Sequence, residues 1–395
     1  MSNPPALPST TASTSAAVAR LMAGAPLAGE VDLSIGEPDT PLPPVLVDAA
    51  VASLRAGRTG YTPKLGLDEL RVLVAQDVER QTGHLPATHD VVITVGGTGA
   101  TAVALTVACL PADGSAGGIA VPDPAWPNYQ VLAEQLGVPV HRWTQGASGD
   151  GFVDLPGVAA ALDAGARLVV VNSPSNPTGA VASAEALRSL VELVRSRGAW
   201  LLSDEAYESV LASGGRAASP LAVGGADVTF VARTFSKTYS MTGLRVGALI
   251  SPPAFRTAVA AVHGTTAGCA PITAQLVAVA ALRDLPDRSA ELAGVYGPRL
   301  ERAREVLGPW VSDVGPTAEL GGFYVWLDAR QTGLPSVDVC AALRGRGVIV
   351  SAGTVYSAVE GTVRLALTAP DDVLDAALRT VRDVLDELSE VHGRH

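Results

Sequence analysis

The chain has 395 residues, 48% of them hydrophobic, which is enough for one large domain or two around a substantial core. Its 39 acidic and 28 basic residues leave a net charge of -11, which argues against a nucleic-acid or anionic-membrane partner. Cys109, Cys269 and Cys340 are odd in number and widely spaced, so they read as reduced core residues of a cytoplasmic protein, and no histidine spacing suggests a zinc or iron site.

In chain order, residues 1–16 are rich in Ser, Thr, Pro and Ala and read as a loose arm, with no basic region ahead of an apolar stretch. No uninterrupted apolar run is long enough to span a bilayer. Short apolar runs come next at 91–95, 119–121, 168–171, 200–202, 228–232 and 246–250, alternating with helical patterns. Their near-continuous apolar character suits strands buried on both faces of a mainly parallel sheet covered by helices, an α/β architecture. Beyond about residue 285 the pattern changes to a smaller α+β unit. A long helix over 287–307 precedes strand-like runs at 322–327, 347–350 and 363–367, and a helix over 370–391 closes the chain. The expected division is 1–45 as an arm and part of the small domain, 46–285 as the large domain and 286–395 as the small C-terminal domain.

The residues just after each run of the large domain carry the chemistry. Gly96-Gly97-Thr98-Gly99 opens a helix expected over 100–110, and Pro122-Asp123-Pro124-Ala125-Trp126 comes after the second run. The third leads to Asn172-Ser173-Pro174-Ser175-Asn176-Pro177-Thr178-Gly179, the fourth to Asp204-Glu205-Ala206-Tyr207 and the fifth to Thr234-Phe235-Ser236-Lys237. Ends of parallel strands lie along one edge, where open α/β sheets bind ligands. Lys237 is one of only two lysines, with Lys64, in a chain that otherwise uses arginine. Arginine cannot lose its proton near neutral pH and attack a carbonyl; lysine can. An amine, a carboxylate, a tyrosine, an amide and a Gly-rich helix start together suit pyridoxal 5′-phosphate. Lys237 would make the Schiff base and Asp204 would pair with the ring nitrogen. Backbone N–H groups at Gly97, Thr98 and Gly99, with Thr234 and Arg245, could take the phosphate.

Thr234-Phe235-Ser236-Lys237 followed by Gly243-Leu244-Arg245-Val246-Gly247 resembles the cofactor-lysine signature of fold-type I aminotransferases of the aspartate aminotransferase-like (class I/II) group. Asn176-Pro177-Thr178-Gly179 and Asp204-x-x-Tyr207 precede it in the family's order. The resemblance implies a pyridoxal-phosphate transferase fold and amino transfer from an amino acid to a 2-oxo acid by a ping-pong route. It implies that Lys237 also shuttles the substrate proton, that Tyr207 and Asn176 hydrogen-bond the ring oxygen, and that Trp126 stacks on the ring. Arg364 resembles the arginine that clamps the substrate α-carboxylate, and Gly36 the glycine beside it. Tyr61 resembles the tyrosine that reaches the phosphate of a partner subunit, which implies a homodimer with shared sites. Thr98 stands where relatives that recognise a dicarboxylate often place a lysine, and Gly96 where some relatives have a phosphate-binding serine. Lys64, in the loop expected to cross into the neighbour's site, is assigned to the distal part of an anionic substrate.

Two other readings start from the same residues. The lysine and electron sink also support β- or γ-elimination, replacement or ring closure on an amino acid, as in natural-product enzymes. Gly97-x-Gly99-x-x-Ala102 after a strand, with Asp123 after the next, loosely fits a dinucleotide fingerprint. That fingerprint leaves Asp204, Tyr207 and Lys237 unexplained. A transcriptional regulator of this family would need a DNA-binding domain, for which about 30 residues before Val31 are too few.

Overall fold

The computed structural model describes residues 26–111, 114, 116–146, 152–312 and 319–392; the arm expected at 1–16 lies outside them. The first strand described, β1 (Val31–Asp32), pairs with a segment more than 300 residues along the chain. The next seven build the main sheet: β2 (Val91–Thr94), β3 (Gly118–Asp123), β4 (Val140–Thr144), β5 (Ala166–Asn172), β6 (Trp200–Asp204), β7 (Thr229–Thr234) and β8 (Gly247–Ile250). Their spatial order is β2-β8-β7-β6-β5-β3-β4. All run the same way except β8, which is antiparallel to both β2 and β7.

That reversal matters for the site. The carboxyl ends of β2, β5, β6 and β7 lie along one edge, and the antiparallel β8 brings its amino end, with Arg245 just before it, to the same edge. β4 lacks the apolar signature of the other strands. It sits at the sheet's border, and of its five residues only Trp143 is buried, so its sequence reads as mixed rather than apolar.

Residues alternate between the two faces as the pleat requires. Val91, Ile93 and Val231 pack under helices Asp68–Thr82 and Ile272–Asp284. Val92, Phe230 and Ala232 face helices Gly96–Cys109 and Asn128–Gln135. Val169, Val171 and Leu201 face helix Ala184–Ser196, whose Leu187, Leu190, Val191 and Val194 recur at helical spacing. Ser183 starts that helix by accepting the Ala186 N–H at 3.0 Å, a cap that contributes about 1 kcal/mol and that alanine would remove.

A second core lies where the α+β pattern was expected. β9 (Tyr324–Asp328), β11 (Ser351–Ala352) and β12 (Thr362–Ala366), on either side of the short β10 (Val348–Ile349) in sequence, form an antiparallel sheet in the order β11-β12-β9. Helices Ser289–Leu307, Ser336–Arg344 and Asp371–His392 cover it. β1 pairs in parallel with β10, and Leu33 is buried in this core. The N-terminal segment thus returns to the C-terminal unit, crossing the carboxyl edge of the main sheet on its way.

Candidate active site

The helix that opens with the glycine run begins at Gly96, four residues earlier than expected, so Gly97, Thr98 and Gly99 form its first turn. The first four N–H groups of a helix have no intrahelical partner, and this helix starts just after the carboxyl end of β2. Gly96 has φ +67°, and a Cβ there would lie 2.7 Å from Nη2 of Arg245. A serine would therefore have to displace that guanidinium, which accounts for glycine at this position. Arg245 itself adopts φ 56°, costly for a residue with a side chain. Its Nη1 donates to the Thr242 carbonyl at 2.9 Å. Thr234 is beside the same turn, 3.4 Å from where a Gly97 Cβ would stand, and its hydroxyl donates to Ser236 Oγ at 2.9 Å.

Lys237 comes just after β7 and turns inward, where Nζ donates to the Gly36 carbonyl at 2.5 Å. Burial pushes its pKa down to about 8; Glu37 pulls it back up, while Arg364 and Arg245 add to the lowering. Asp204 ends β6 and is 7% exposed. Burial lifts its carboxyl to about 6, against hydrogen bonds from Tyr129 and the Ala206 N–H that favour the charged form. Tyr207, one turn on, is buried with its hydroxyl 2.8 Å from that of Tyr324. Burial holds the Tyr207 phenol well above the usual range.

Asn172 ends β5, donates to the Asp204 carbonyl at 3.0 Å and accepts the Asn176 N–H at 2.8 Å, so the turn carrying Asn176 is pinned to β6. Asn176 Oδ1 in turn accepts from Nη1 of Arg364 at 3.0 Å. Arg364, on β12, is buried between the rings of Tyr324 and Tyr356, 4.5 and 4.7 Å from their centroids. Its Nη2 donates to the Ser34 carbonyl, and among the described residues its Nε has no partner. A buried guanidinium with a free donor is ready for a carboxylate. Gly36 lies against Tyr324, where a Cβ would fall 1.8 Å from the phenol oxygen. Trp126 is half-buried, edge-on to Tyr129 with centroids 5.3 Å apart.

One edge thus assembles Gly36, Gly97, Thr98, Trp126, Asn176, Asp204, Tyr207, Thr234, Lys237, Arg245 and Arg364. Tyr61 stands apart, 99% exposed on the protomer's surface. Lys64 lays its aliphatic chain near Gly264, and among the described residues its ammonium has no carboxylate partner. Sequence reasoning missed Tyr129, Tyr324 and Tyr356 as members of the site. Tyr129 carried a usable signal, coming three residues after Trp126; Tyr324 and Tyr356 come from a unit whose approach to the sheet edge no local pattern announces.

Behind the site lies a buried ionic cluster. Glu205, beside Asp204, accepts from Arg233 Nε at 2.9 Å, and Arg216 grips Asp77 with two bonds of 2.8 and 2.9 Å and reaches Glu208 at 3.2 Å. Burial works against the Asp77 charge, but Arg216 and Arg233 more than offset it and its carboxyl titrates below the ordinary range.

The residues fit pyridoxal phosphate: a strained arginine and a glycine cradle at a helix start, a buried carboxylate and an amine close to neutrality. Comparison with known proteins points the same way. The aminotransferase class I and II family model matches residues 28–381. The chain is 31% identical over 361 residues to a valine–pyruvate aminotransferase of Mycobacterium tuberculosis, covering 89% of this chain and 90% of the relative. It is 32% identical over 361 residues to a probable aspartate/prephenate aminotransferase of Thermus aquaticus, covering 90% and 91%. Among solved structures, the aspartate aminotransferase of Thermus thermophilus with maleate superposes with a TM-score of 0.81 at 30% identity, over 96% of this chain and 97% of that one.

Proposed function

Because the chain belongs to the class I and II aminotransferases, and so moves amino groups with pyridoxal phosphate in a ping-pong cycle, we propose that Lys237 is its catalytic amine and the sheet edge its active site. The observation that carries this is the half-buried Lys237 amine, held at 2.5 Å by a backbone carbonyl and with its pKa brought down to about 8. When bound through Lys237, the cofactor supplies an electron sink for the negative charge left at the substrate Cα. Asp204 would pair with the ring nitrogen and favour a proton there. Tyr207 and Asn176 would serve the ring oxygen, and Trp126 would cover the ring. The N–H groups of Gly97 and Thr98, with Thr234 and Arg245, would take the phosphate, as helix starts do.

Arg364 clamps the substrate α-carboxylate, with Gly36 alongside. Its Nη2 must exchange the Ser34 carbonyl for substrate, and its free Nε gives a second donor to the same carboxylate. Nζ of Lys237, released from the cofactor when the substrate amine takes its place, would be free to take the proton from Cα as a general base and to give it up again as a general acid. Residues 46–285 would form the cofactor-binding domain, with 286–395 and the N-terminal segment closing over it.

The site is completed by a second copy. The exposure of Tyr61 supports this, since an aromatic so exposed on one protomer suits a place in a neighbour. Among the described residues no helix is long and apolar enough to cross a membrane, and all three cysteines are free, which supports a cytoplasmic enzyme. Aminotransferase names among the relatives favour transamination over elimination or ring closure.

The visible spectrum of the purified holoenzyme tests the reading. Donors such as valine, aspartate and arginine are added one at a time, and the corresponding oxo acid is assayed. One donor should bleach the visible band while its oxo acid accumulates. A protein that takes up no pyridoxal phosphate, or one that releases ammonia in place of transferring it, would sink the proposal.

A further inference from the structure

Tyr129 lies in helix Asn128–Gln135 and reaches Asp204 from a position 75 residues earlier in sequence. Its hydroxyl donates to Asp204 Oδ2 at 2.5 Å, and the ring is 1% exposed. The other carboxylate oxygen takes the Ala206 N–H at 3.2 Å, leaving Tyr129 as the side chain that bonds Asp204 among the described residues. The same ring stands edge-on to Trp126, with centroids 5.3 Å apart. One side chain therefore touches both the carboxylate assigned to the ring nitrogen and the aromatic assigned to the ring face.

We infer that Tyr129 is a positioning residue that holds Asp204 in its ionised form and in the orientation needed to accept from the cofactor's ring nitrogen. The inference rests on the assignment of Asp204 to that nitrogen and deepens it. The geometry suits this role because a phenol bonds more strongly to a carboxylate than to a protonated acid. An ionised carboxylate accepts on both oxygens, so the Tyr129 bond leaves lone pairs for the ring N–H. Burial disfavours the Asp204 charge, and Glu205 and Glu208 disfavour it further. Lys237 and Tyr207 also face this carboxyl, Lys237 with a charge that favours ionisation. A short phenol bond in a dry site opposes the effect of burial directly. Tyr129 in turn keeps its own proton, since burial and the Asp204 charge both hold its phenol well above the usual range. It acts as a fixed donor and not as an acid in the cycle.

Infrared titration of the full-length apoprotein reads this without turnover. The protonated-carboxyl band that vanishes in Asp204→Asn reports Asp204, with a midpoint near 6 in the unsubstituted protein. Tyr129→Phe keeps the ring against Trp126 and removes only the hydroxyl, so the midpoint should rise by about one pH unit, the worth of one charge-assisted hydrogen bond. In the loaded enzyme the same variant should lose kcat about twofold at pH 7 and about fivefold at pH 6, recovering as pH rises, with KM little changed. An unmoved Asp204 midpoint in Tyr129→Phe overturns the inference, as does a loss of kcat that is uniform across pH. Should the variant fold poorly, tyrosine labelled with carbon-13 at Cζ serves in the unsubstituted sequence. One resonance should shift through the Asp204 midpoint and stay flat in Asp204→Asn, and the absence of any such resonance overturns the inference. A coupled Tyr129–Asp204 titration in a protein that takes up no pyridoxal phosphate would uphold the contact and refute the cofactor reading alone.

Discussion

At the scale of single residues, the site is built from groups pushed away from their ordinary protonation by burial. Lys237 is the clearest case: with its pKa near 8 it is a usable fraction neutral at physiological pH, where an ordinary lysine is almost wholly charged. Covalent uptake of pyridoxal phosphate by the apoprotein needs the neutral amine. Its rate should therefore rise with pH and level off above about 8, and a rate still climbing steadily through pH 10 would contradict the assignment. Lys237→Ala should retain the cofactor without covalent attachment and lose essentially all turnover. Asp204 is displaced the other way, its folded value near 6 lying above the ordinary carboxyl value near 4. Its contribution to apoprotein stability is therefore full below about pH 4 and is lost as pH rises through 6, a change of about 3 kcal/mol. Thermal melts from pH 4 to 8 should show this slope, and it should be absent from Asp204→Asn.

At the scale of elements, the helix start and the antiparallel strand cooperate on one pocket. Gly97, Thr98 and Gly99 present the N–H groups of helix Gly96–Cys109, and β8 returns Arg245 to the same place in a left-handed backbone conformation. Gly96→Ala would put a Cβ 2.7 Å from the Arg245 guanidinium at a positive φ. The expected cost is about 1–2 kcal/mol of stability, with at least tenfold weaker phosphate-dependent cofactor binding by the apoprotein. Binding of pyridoxal, which lacks the phosphate, should change far less, and equal losses for the two would argue against a phosphate site here. Most of these elements were legible in the sequence because strands buried on both faces are apolar runs. The exceptions have physical causes. β4 borders the sheet and carries polar residues, the helix at Gly96 starts within glycines of poor helical propensity, and the direction of β8 depends on its neighbours rather than on its own residues.

At the scale of the whole molecule, the N-terminal segment ties the two units together across the site. The Ser34 carbonyl meets Arg364 and the Gly36 carbonyl meets Lys237. Asp39 makes a two-bonded pair with Arg299, at 2.9 Å each, which also holds Asp371. The amine assigned to the cofactor and the guanidinium assigned to the substrate thus share a backbone strap whose carbonyls each must give up when its ligand binds. If Tyr61 completes a neighbour's site, hybrids of Tyr61→Ala and Lys237→Ala chains contain one intact site per dimer. Refolding the two together should recover roughly a quarter of the activity of the unsubstituted enzyme, because half the dimers are hybrids with one of two sites restored. Activity equal to the mean of the two parents would show that sites are not shared.

The sequence by itself determined the chemistry. Scarcity of lysine singled out Lys237, and the strand-end motifs placed a carboxylate, an amide, a tyrosine and a glycine-rich helix start on one edge. Such features are local, resting on interactions within a few residues or on the regular alternation of a parallel sheet. Only the tertiary structure decided which distant groups meet: Tyr129 with Asp204 across 75 residues, Lys237 with Gly36 across 201 and Arg364 with Ser34 across 330. Those pairings arise from how the two cores pack and where the strap crosses between them. No short-range pattern encodes that, because the energy that selects it comes from burying the faces of many helices and strands at once.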